Sequence, residues 1–428
     1  MVAQIRMVRC WLLFAGLSVL SAACQAEETL AEMLGRVLPL APQVRVQQGL
    51  VAAAEERVVQ ARSRFFPEFQ YQLDRGRANS TELGFPIDRT TNRAQISLAH
   101  NVYNAGRDRA ELEAVRLEFD AARQDLQHAR EDVGERIATA YLELLRFDAL
   151  QERAERRLLI ARAMLARFAE QREAGKVSEA DYLDASSVST DAEIDLEDIR
   201  AAATQARAKL QRLTGESQLS LAGWPDGVLR STTGAERVAD DPVPSQTLAA
   251  RLRADAAQTR TPPAWTSAMP RLDLRYDQAL WDRTSPQLTD QLNQGWGMTL
   301  RWNFPLGGET TSRVNESQRR AEAALAEAER VQQGVVAELA GLAERIAAGE
   351  RSLDLLHLRL GQFDKLIPAA ELQYEAGRRS LVQLGQMYES RFAVERRVVE
   401  QEQQQRGLHL HRLALRGELL QALGLEVR

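Results

Sequence analysis

The sequence predicts an α+β fold that is mainly α-helical and internally duplicated. The 428 residues include only 6% aromatic residues and 13 prolines, a composition that favours long helices over a compact mixed core. Short motifs recur in the same order in the two halves, which indicates duplication. Four short segments alternate apolar and polar residues, which indicates strands. We therefore expect each half to contain two strands and one long antiparallel helical hairpin.

The N-terminus has the residue order of a secretory signal. Arg6 and Arg9 precede an apolar run over 10–20, and small residues follow at 21–23. We therefore expect a signal peptide over 1–26 and export of the protein. The apolar run is too short to span a bilayer, and the rest of the chain has no run of about 20 apolar residues. The sequence therefore predicts no helical membrane anchor.

Both cysteines lie in this leader. Cleavage after Ala26 would leave no cysteine, and so no disulfide, although the compartment is oxidising. The alternative makes Cys24 a lipidated N-terminus, because two small residues precede it. Ser21 stands where lipoprotein signals usually carry Leu. Simple cleavage is therefore favoured, and lipidation of Cys24 stays open as the alternative.

Three pairs of motifs align at a separation of about 202 residues, which defines two repeats. The pairs are Phe66–Tyr71 with Met269–Leu274, Val102–Arg107 with Asn303–Gly308, and Glu173–Lys176 with Glu375–Arg378. The predicted organisation is a first repeat over 27–213, a glycine- and proline-rich linker over 214–244, a second repeat over 245–424 and a tail over 425–428.

The four strand candidates each have one apolar and one polar face, because apolar residues recur at every second position. The apolar positions are Phe69, Tyr71 and Leu73; Ala94, Ile96, Leu98 and Val102; Leu272, Leu274 and Tyr276; and Trp296, Met298, Leu300, Trp302 and Phe304. A soluble sheet packed on a core is the alternative. Segments of about ten residues, aromatic residues near their ends and the export signal together favour strands that cross a membrane.

Four strands cannot close a membrane barrel, since the smallest such barrels have about eight. An open edge cannot lie in lipid, because its N–H and C=O groups would remain unsatisfied. Other copies of the chain must therefore complete the sheet. Two copies would supply eight strands and three would supply twelve, and this reasoning leaves both open.

The helices are predicted to be too long for a globular domain. From Arg107 to Arg172 there is no proline and one glycine, so a continuous helix would extend on the order of 100 Å. The stretch 313–375 repeats this feature, interrupted only by Pro368 and scattered glycines such as Gly334. Return helices are expected over 178–213 and 380–423. A coiled-coil stalk would explain these helices but not the strands.

The order and duplication of these motifs resemble the outer-membrane efflux protein family, the TolC-like channels. The motifs that support the resemblance are Pro67 and Pro270 before the strands, Asn104–Gly106 and Pro305–Gly308 after them, and the turns Arg172–Asp181 and Tyr374–Val382. The resemblance implies a homotrimer in the Gram-negative outer membrane. In the arrangement that the resemblance implies, twelve strands form a transmembrane β-barrel in contact with lipid, and the helices form an α-barrel tunnel through the periplasm. It further implies a passive duct that works with a periplasmic adaptor protein and an inner-membrane transporter.

The resemblance also assigns the hairpin turns at Gly175 and Gly377 to the periplasmic tips of the tunnel. Tyr374 and Arg379 match residues that close such tips through polar links to a neighbouring hairpin, where Asp181 stands. We hypothesise an Arg379–Asp181 latch, with solvated turn charges as the alternative.

Some relatives carry aspartates at the tip positions that are Gln383 and Gln386 here. Since neutral amides bind cations less strongly than carboxylates do, we expect weak block of the channel by divalent cations.

The sequence offers no catalytic, cofactor or metal site. The five histidines are scattered, and no glycine-rich phosphate loop is present, so an enzyme is not expected. The net charge of −5 gives no argument for nucleic acid. A periplasmic coiled-coil adaptor or spacer is the competing function, although an adaptor should not repeat both hairpin and strands. The turn Gly377–Ser380 slightly favours type I protein secretion over small-molecule efflux.

Overall fold

A computed structural model describes most of the chain. The described residues are 29–82, 85–216, 222–224, 243–261, 266, 269–284, 294–303 and 307–425. The predicted signal peptide with Cys24, most of the linker, Phe304 and the last three residues lie outside this part of the chain.

Among the described residues, the first repeat contains four α-helices, a short 3-10 helix at Leu38–Leu40 and two strands. Helices α1 and α2 are followed by a strand pair, then by the long helix α3 and the return helix α4. The bounds are α1 Leu30–Val37, α2 Pro42–Ser63, β1 Glu68–Glu82, β2 Phe85–Tyr103, α3 Arg107–Glu173 and α4 Glu179–Thr214.

The second repeat follows the same plan with one helix before its strands. The bounds are α5 Ser245–Arg260, β3 Arg271–Thr284, β4 Gln294–Arg301, α6 Glu309–Glu375, α7 Leu381–Arg416 and α8 Leu419–Ala422. Helices α3 and α6 each contain 67 residues, and α4 and α7 each contain 36. The two long hairpins therefore correspond position by position without a gap.

Both long helices begin after a glycine in the left-handed conformation. Gly106 has φ 79° and Gly308 has φ 78°, and each is the residue immediately before the helix. A residue with a side chain rarely adopts this conformation, so both turns require glycine. The equal turns add a structural match to the duplication seen in the sequence.

The second hairpin departs from prediction in three places. Helix α6 begins at Glu309, four residues before the predicted start, and it continues through Pro368 without ending. The return helix was predicted to reach residue 423, and this is wrong. Gly417 adopts φ 74° and ends α7 at Arg416, and the short helix α8 follows.

The strands form one antiparallel sheet in the order β1-β2-β3-β4. The strands contain 15, 19, 14 and 8 residues, so three of them exceed the predicted length of about ten. Phe69 pairs with Leu98, Leu98 with Tyr276, and Tyr276 with Trp296, which forms one apolar row across the sheet. In a single chain, β1 and β4 are open edges.

The two faces of the sheet have opposite character, as the alternation predicts. On the apolar face Trp296 is 80% exposed and Leu73 is 58% exposed. On the polar face Asn101 Nδ2 donates to Asp273 Oδ1 at 2.7 Å, and Gln95 Nε2 donates to Asp277 Oδ1 at 2.9 Å. Large apolar side chains therefore face outward, with no layer of the described chain over them.

The helices bury their apolar residues in separate clusters. The largest cluster joins α1, α2, α3, α4, α7 and α8, and its centre includes Ile137, Tyr141 and Leu144 of α3. Many other buried positions are alanine, which lets the helices approach closely. None of the described helices has the length and apolar character needed to cross a bilayer.

Candidate functional site

The two hairpin turns lie at the end of the helices farthest from the sheet, and they have the same backbone geometry. Gly175 has φ 70° and Gly377 has φ 67°. In the first turn Lys176 N–H donates to the Gln171 carbonyl at 2.9 Å, and in the second Arg378 N–H donates to the Gln373 carbonyl at 2.8 Å. Glycine in this left-handed conformation closes a helix and reverses the chain.

A serine caps each return helix just after the turn. Ser178 Oγ accepts from Asp181 N–H at 3.1 Å, and the Asp181 carboxylate accepts from the Ser178 hydroxyl at 2.7 Å. Ser380 Oγ accepts from Gln383 N–H at 3.2 Å in the second hairpin. Asp181 and Gln383 therefore occupy the same position in the two repeats, which the sequence analysis did not recognise.

The predicted latch residues are not joined within one chain. Arg379 is half-buried, and its Nη1 donates to Met387 Sδ at 2.6 Å. The Asp181 carboxylate instead stabilises the N-terminus of its own helix, where a negative charge is favourable. A latch between Arg379 and Asp181 consequently requires two neighbouring chains.

Tyr374 joins the two hairpins near the turns. Its hydroxyl accepts a hydrogen bond from Gln171 Nε2 of α3. Beside it lies an apolar cluster with a buried centre that draws on α3, α6 and α7. The centre consists of Met164, Phe168, Ala370, Leu381 and Leu384. The tips of the two hairpins are therefore packed against each other in each chain.

Gln383 and Gln386 are both exposed. They are three positions apart on α7, so their side chains lie on the same face of the helix. This places two neutral amides side by side, one turn from the Gly377 tip.

Arg157, which no sequence motif marks, lies where α3, α4 and α7 meet. Its guanidinium binds Asp195 of α4 and donates to Glu389 of α7 at 2.7 Å and 3.0 Å. It also lies 4.8 Å from the centre of the Phe392 ring, and its side chain is 11% exposed. These partners are 38 and 232 positions away, so no local motif marks the residue.

A half-buried hydroxyl–carboxylate contact lies next to this arginine. Tyr388 of α7 donates to Glu371 Oε1 of α6 at 2.5 Å. Burial and this carboxylate raise the pKa of Tyr388 to about 12. The contact therefore stays intact over the physiological pH range and ties α6 to α7.

His411 of α7 forms a second bridge between the hairpins. Its Nδ1 is 2.7 Å from Glu135 of α3, and its Nε2 is 3.0 Å from Glu338 of α6. Burial lowers the pKa of His411, but the two carboxylates raise it by more, so the pKa lies above its ordinary value of 6.5. The doubly protonated ring can donate to both carboxylates.

We expect the stability contribution of His411 to depend on pH. Because its folded pKa is raised, the contribution is complete below about pH 6.5 and is lost as pH rises through the folded pKa. His411→Gln should lower the free energy of unfolding near pH 6 by about 1 kcal/mol or less, given the partial exposure, and by little near pH 9. Chemical denaturation at both pH values measures this. His409→Gln is the control, since burial lowers the pKa of His409. An equal loss at both pH values would contradict the assignment.

No group of histidine, cysteine, aspartate and glutamate side chains suited to a metal ion occurs among the described residues.

The comparisons with known proteins agree with this architecture. Residues 24–216 match the family model described as outer membrane efflux protein. No curated protein matches the chain by sequence.

Three solved outer membrane structures share the fold. The outer membrane protein VceC of Vibrio cholerae is 18% identical, with 93% of this chain and 97% of VceC covered and a TM-score of 0.77. The CmeC outer membrane channel of Campylobacter jejuni is 12% identical, with 91% of this chain and 86% of CmeC covered and a TM-score of 0.75. The MtrE outer membrane channel of Neisseria gonorrhoeae, in its open state, is 15% identical, with 92% of this chain and 89% of MtrE covered and a TM-score of 0.66.

These matches confirm the predicted fold class and the predicted resemblance. The predicted outer-membrane location agrees with the description of the matched family and of these structures.

Proposed function

We propose that this chain, whose residues 24–216 match the outer membrane efflux proteins, is one protomer of a passive outer-membrane export duct. The observation that carries the proposal is the sheet. Its apolar face, with Leu73 and Trp296, is exposed, its opposite face is polar, and it continues into helices of 67 residues. A sheet with one lipid-compatible face and one polar face is suited to the wall of a water-filled pore.

Three copies complete this wall in our proposal. The edge strands β1 and β4 carry backbone groups that need hydrogen-bond partners inside a bilayer. When β4 of one chain pairs with β1 of the next, three chains form a closed barrel of twelve strands. The exposed apolar side chains then contact outer-membrane lipid, and the helical hairpins enclose a tunnel on the periplasmic side.

The duct needs partners, because nothing in its residues suggests an energy source. We infer that a periplasmic adaptor and an inner-membrane transporter supply the cargo and the energy, as the family resemblance implies. The competing function, a periplasmic adaptor or spacer, leaves the exposed apolar face of the sheet without a role.

Cell fractionation and channel recording test the proposal. The protein should appear in the outer membrane as a heat-modifiable trimer, and the purified trimer should conduct ions in a planar bilayer. A soluble periplasmic monomer without conductance would reject the duct in favour of the adaptor.

Two cargo classes fit the duct. The description of the matched family supports efflux, and the turn Gly377–Ser380 favours type I protein secretion. A deletion strain separates them: loss of a secreted polypeptide from the medium identifies secretion, and sensitivity to toxic compounds with normal secretion identifies efflux.

We propose that the tips of the hairpins close the duct through Arg379 of one chain and Asp181 of its neighbour, with Tyr374 fixing the tip and Gln383 and Gln386 facing the pore. The two amides would bind divalent cations weakly, so such ions should block the channel only weakly.

The Arg379→Ala variant should conduct more than the wild type. A hydrogen bond between charged groups contributes about 1.5–3 kcal/mol, so its loss should raise the occupancy of the open state about ten-fold or more. Asp181→Asn should act in the same direction while preserving the helix cap, because asparagine also caps helices. Single-channel recording measures both, and Arg378→Ala in the same turn is the control. Unchanged conductance in both variants would reject the latch.

A further inference from the structure

The two repeats place different residues at the helical end of the polar face of the sheet. In the first repeat Glu68 of β1 pairs with Ala99 of β2. In the second repeat Arg271 of β3 pairs with Arg301 of β4. The two pairs occupy corresponding positions, because their members are 203 and 202 residues apart, as are the motifs that define the repeats. Two arginines in the second repeat therefore correspond to one acidic and one small residue in the first.

This pair of arginines is unfavourable for the sheet itself, because like charges directly opposite each other destabilise paired strands. One of them is compensated, since Arg271 Nε donates to Asp273 Oδ1 at 2.7 Å. Arg301 is exposed, and within the described part of the chain it makes no hydrogen bond or ion pair. The Asp273 carboxylate attracts Arg301 only at longer range. The second repeat therefore keeps one positive charge without a bound partner on the polar face.

The arginines line a cavity where the polar face meets the helices. Its volume is about 880 Å³, and it is lined by four arginines, Arg64, Arg271, Arg275 and Arg301, and by three carboxylates, Glu68, Asp108 and Asp273. Arg64 lies 3.8 Å from Asp108, and Arg275 donates to Asp277 at 2.9 Å, so both are compensated. Glu68 lies on β1, three strands away from Arg301 and so about 14 Å from it. The positive charge is therefore concentrated beside β3 and β4.

The duplication also predicts what Arg301 meets on its other side in the proposed barrel. Within the chain Ala99 of β2 pairs with Arg275 of β3. The corresponding pair at the closure between β4 and β1 of the next chain is Arg301 with Gln72, which is neutral. The nearest carboxylate on that strand, Asp74, accepts from Gln72 Nε2 at 3.1 Å and pairs with Arg93. Closing the barrel therefore places no carboxylate directly opposite Arg301.

We propose that Arg301, with Arg271 beside it, forms an anion site where the helical tunnel enters the barrel, and that the three sites of the trimer make the duct favour anionic cargo. Rings of arginine or lysine select anions in pores. The planar guanidinium matches carboxylate and phosphate groups. The neutral amides of Gln383 and Gln386 do not oppose this preference at the tip. This inference rests on the proposed trimeric duct.

The reversal potential of the channel in a KCl gradient tests the site, because it gives the ratio of chloride to potassium permeability. Arg301→Gln should form trimers, since it removes a like-charge contact from the sheet. A unit charge about 6 Å away changes the energy of an ion in water by roughly RT, in opposite directions for anions and cations. The ratio should therefore fall about five-fold in Arg301→Gln, whereas Arg301→Lys, which keeps the charge, should retain the wild-type ratio.

The first repeat provides a rescue for this variant. Ala99 corresponds to Arg301 and lies on the same face of the sheet, so Ala99→Arg places an arginine at the equivalent level of the pore. The double variant Arg301→Gln with Ala99→Arg should recover the wild-type permeability ratio. A purely structural effect of losing Arg301 would not be reversed from another strand pair.

Inorganic phosphate identifies the chemistry of the ligand. Added at a constant KCl concentration, it should reduce the conductance of the wild type by occupying the site. A hydrogen bond between charged groups contributes a factor of about ten or more to binding. The half-blocking phosphate concentration should therefore rise about ten-fold in Arg301→Gln.

The outcomes separate this inference from the proposed function. Conducting trimers in which Arg301→Gln changes neither the permeability ratio nor the phosphate block overturn the anion site. A ratio that falls equally in Arg301→Lys, or that the double variant does not recover, shows a structural role for Arg301 and overturns it as well. A wild-type protein that forms no conducting trimer rejects the duct itself.

Discussion

The Leu73→Arg variant is expected to lose most of its heat-modifiable trimer from the outer-membrane fraction. Leu73 lies near the middle of β1 on the exposed apolar face, opposite Ala94 of β2. An arginine at the bilayer midplane on the lipid-facing side of a barrel costs about 2–4 kcal/mol. The cost applies to every chain of the assembly. Quantification of trimer in unheated membrane samples measures the loss.

The neighbouring residue provides the control for this experiment. Gln72 lies on the polar face of the same strand, so Gln72→Arg places the same charge at nearly the same depth but toward the pore. It should assemble as the wild type does. Equal amounts of trimer for both variants would mean that the apolar face does not contact lipid, and the soluble-sheet alternative would then be favoured.

The Leu144→Ala variant is expected to lower the free energy of unfolding by about 2–5 kcal/mol, the cost of truncating a buried leucine. Leu144 is completely buried in the cluster where helices of both repeats meet. The truncation leaves a cavity in α3 that the surrounding helices can fill only in part. Chemical denaturation followed by the helical circular dichroism signal measures the change.

A conservative substitution at the same position separates the cavity from other effects. Leu144→Met nearly conserves the side-chain volume and should cost less than about 1.5 kcal/mol. If both variants unfold at the wild-type denaturant concentration, this cluster does not hold the two repeats together.

The long helices could be predicted closely because their signal is local. A long run without proline predicts α3, and a glycine lies at each of its ends, Gly106 before the helix and Gly175 in the turn after it. The strands were predicted too short for an equally local reason. In β1 the alternation of apolar and polar residues stops at Asp74. The residues that follow, up to Glu82, are polar or small on both faces, so the sequence pattern no longer indicates a strand there. Their pairing with the next strand extends the sheet beyond the sequence signal.

The contacts between helices could not be predicted in the same way. Arg157 has partners that are far away in the sequence, and nothing distinguishes it there from the many exposed arginines. The latch pair shows the opposite difficulty. Asp181 and Arg379 were selected by resemblance, and in one chain each side chain is engaged locally, by Ser178 and by Met387. Their proposed roles depend on a neighbouring chain, whose position no single sequence specifies.

The shared cap position of Asp181 and Gln383 has a consequence for how such a ring can change over evolutionary time. A protein assembled from six identical units alters all six positions with every substitution. In the proposed trimer, a duplicated chain keeps the sixfold outline but alters only three positions at once. Acidic and neutral side chains can then alternate around the rim, and each set can adapt to a new cargo or partner while the other preserves the fold of the turn.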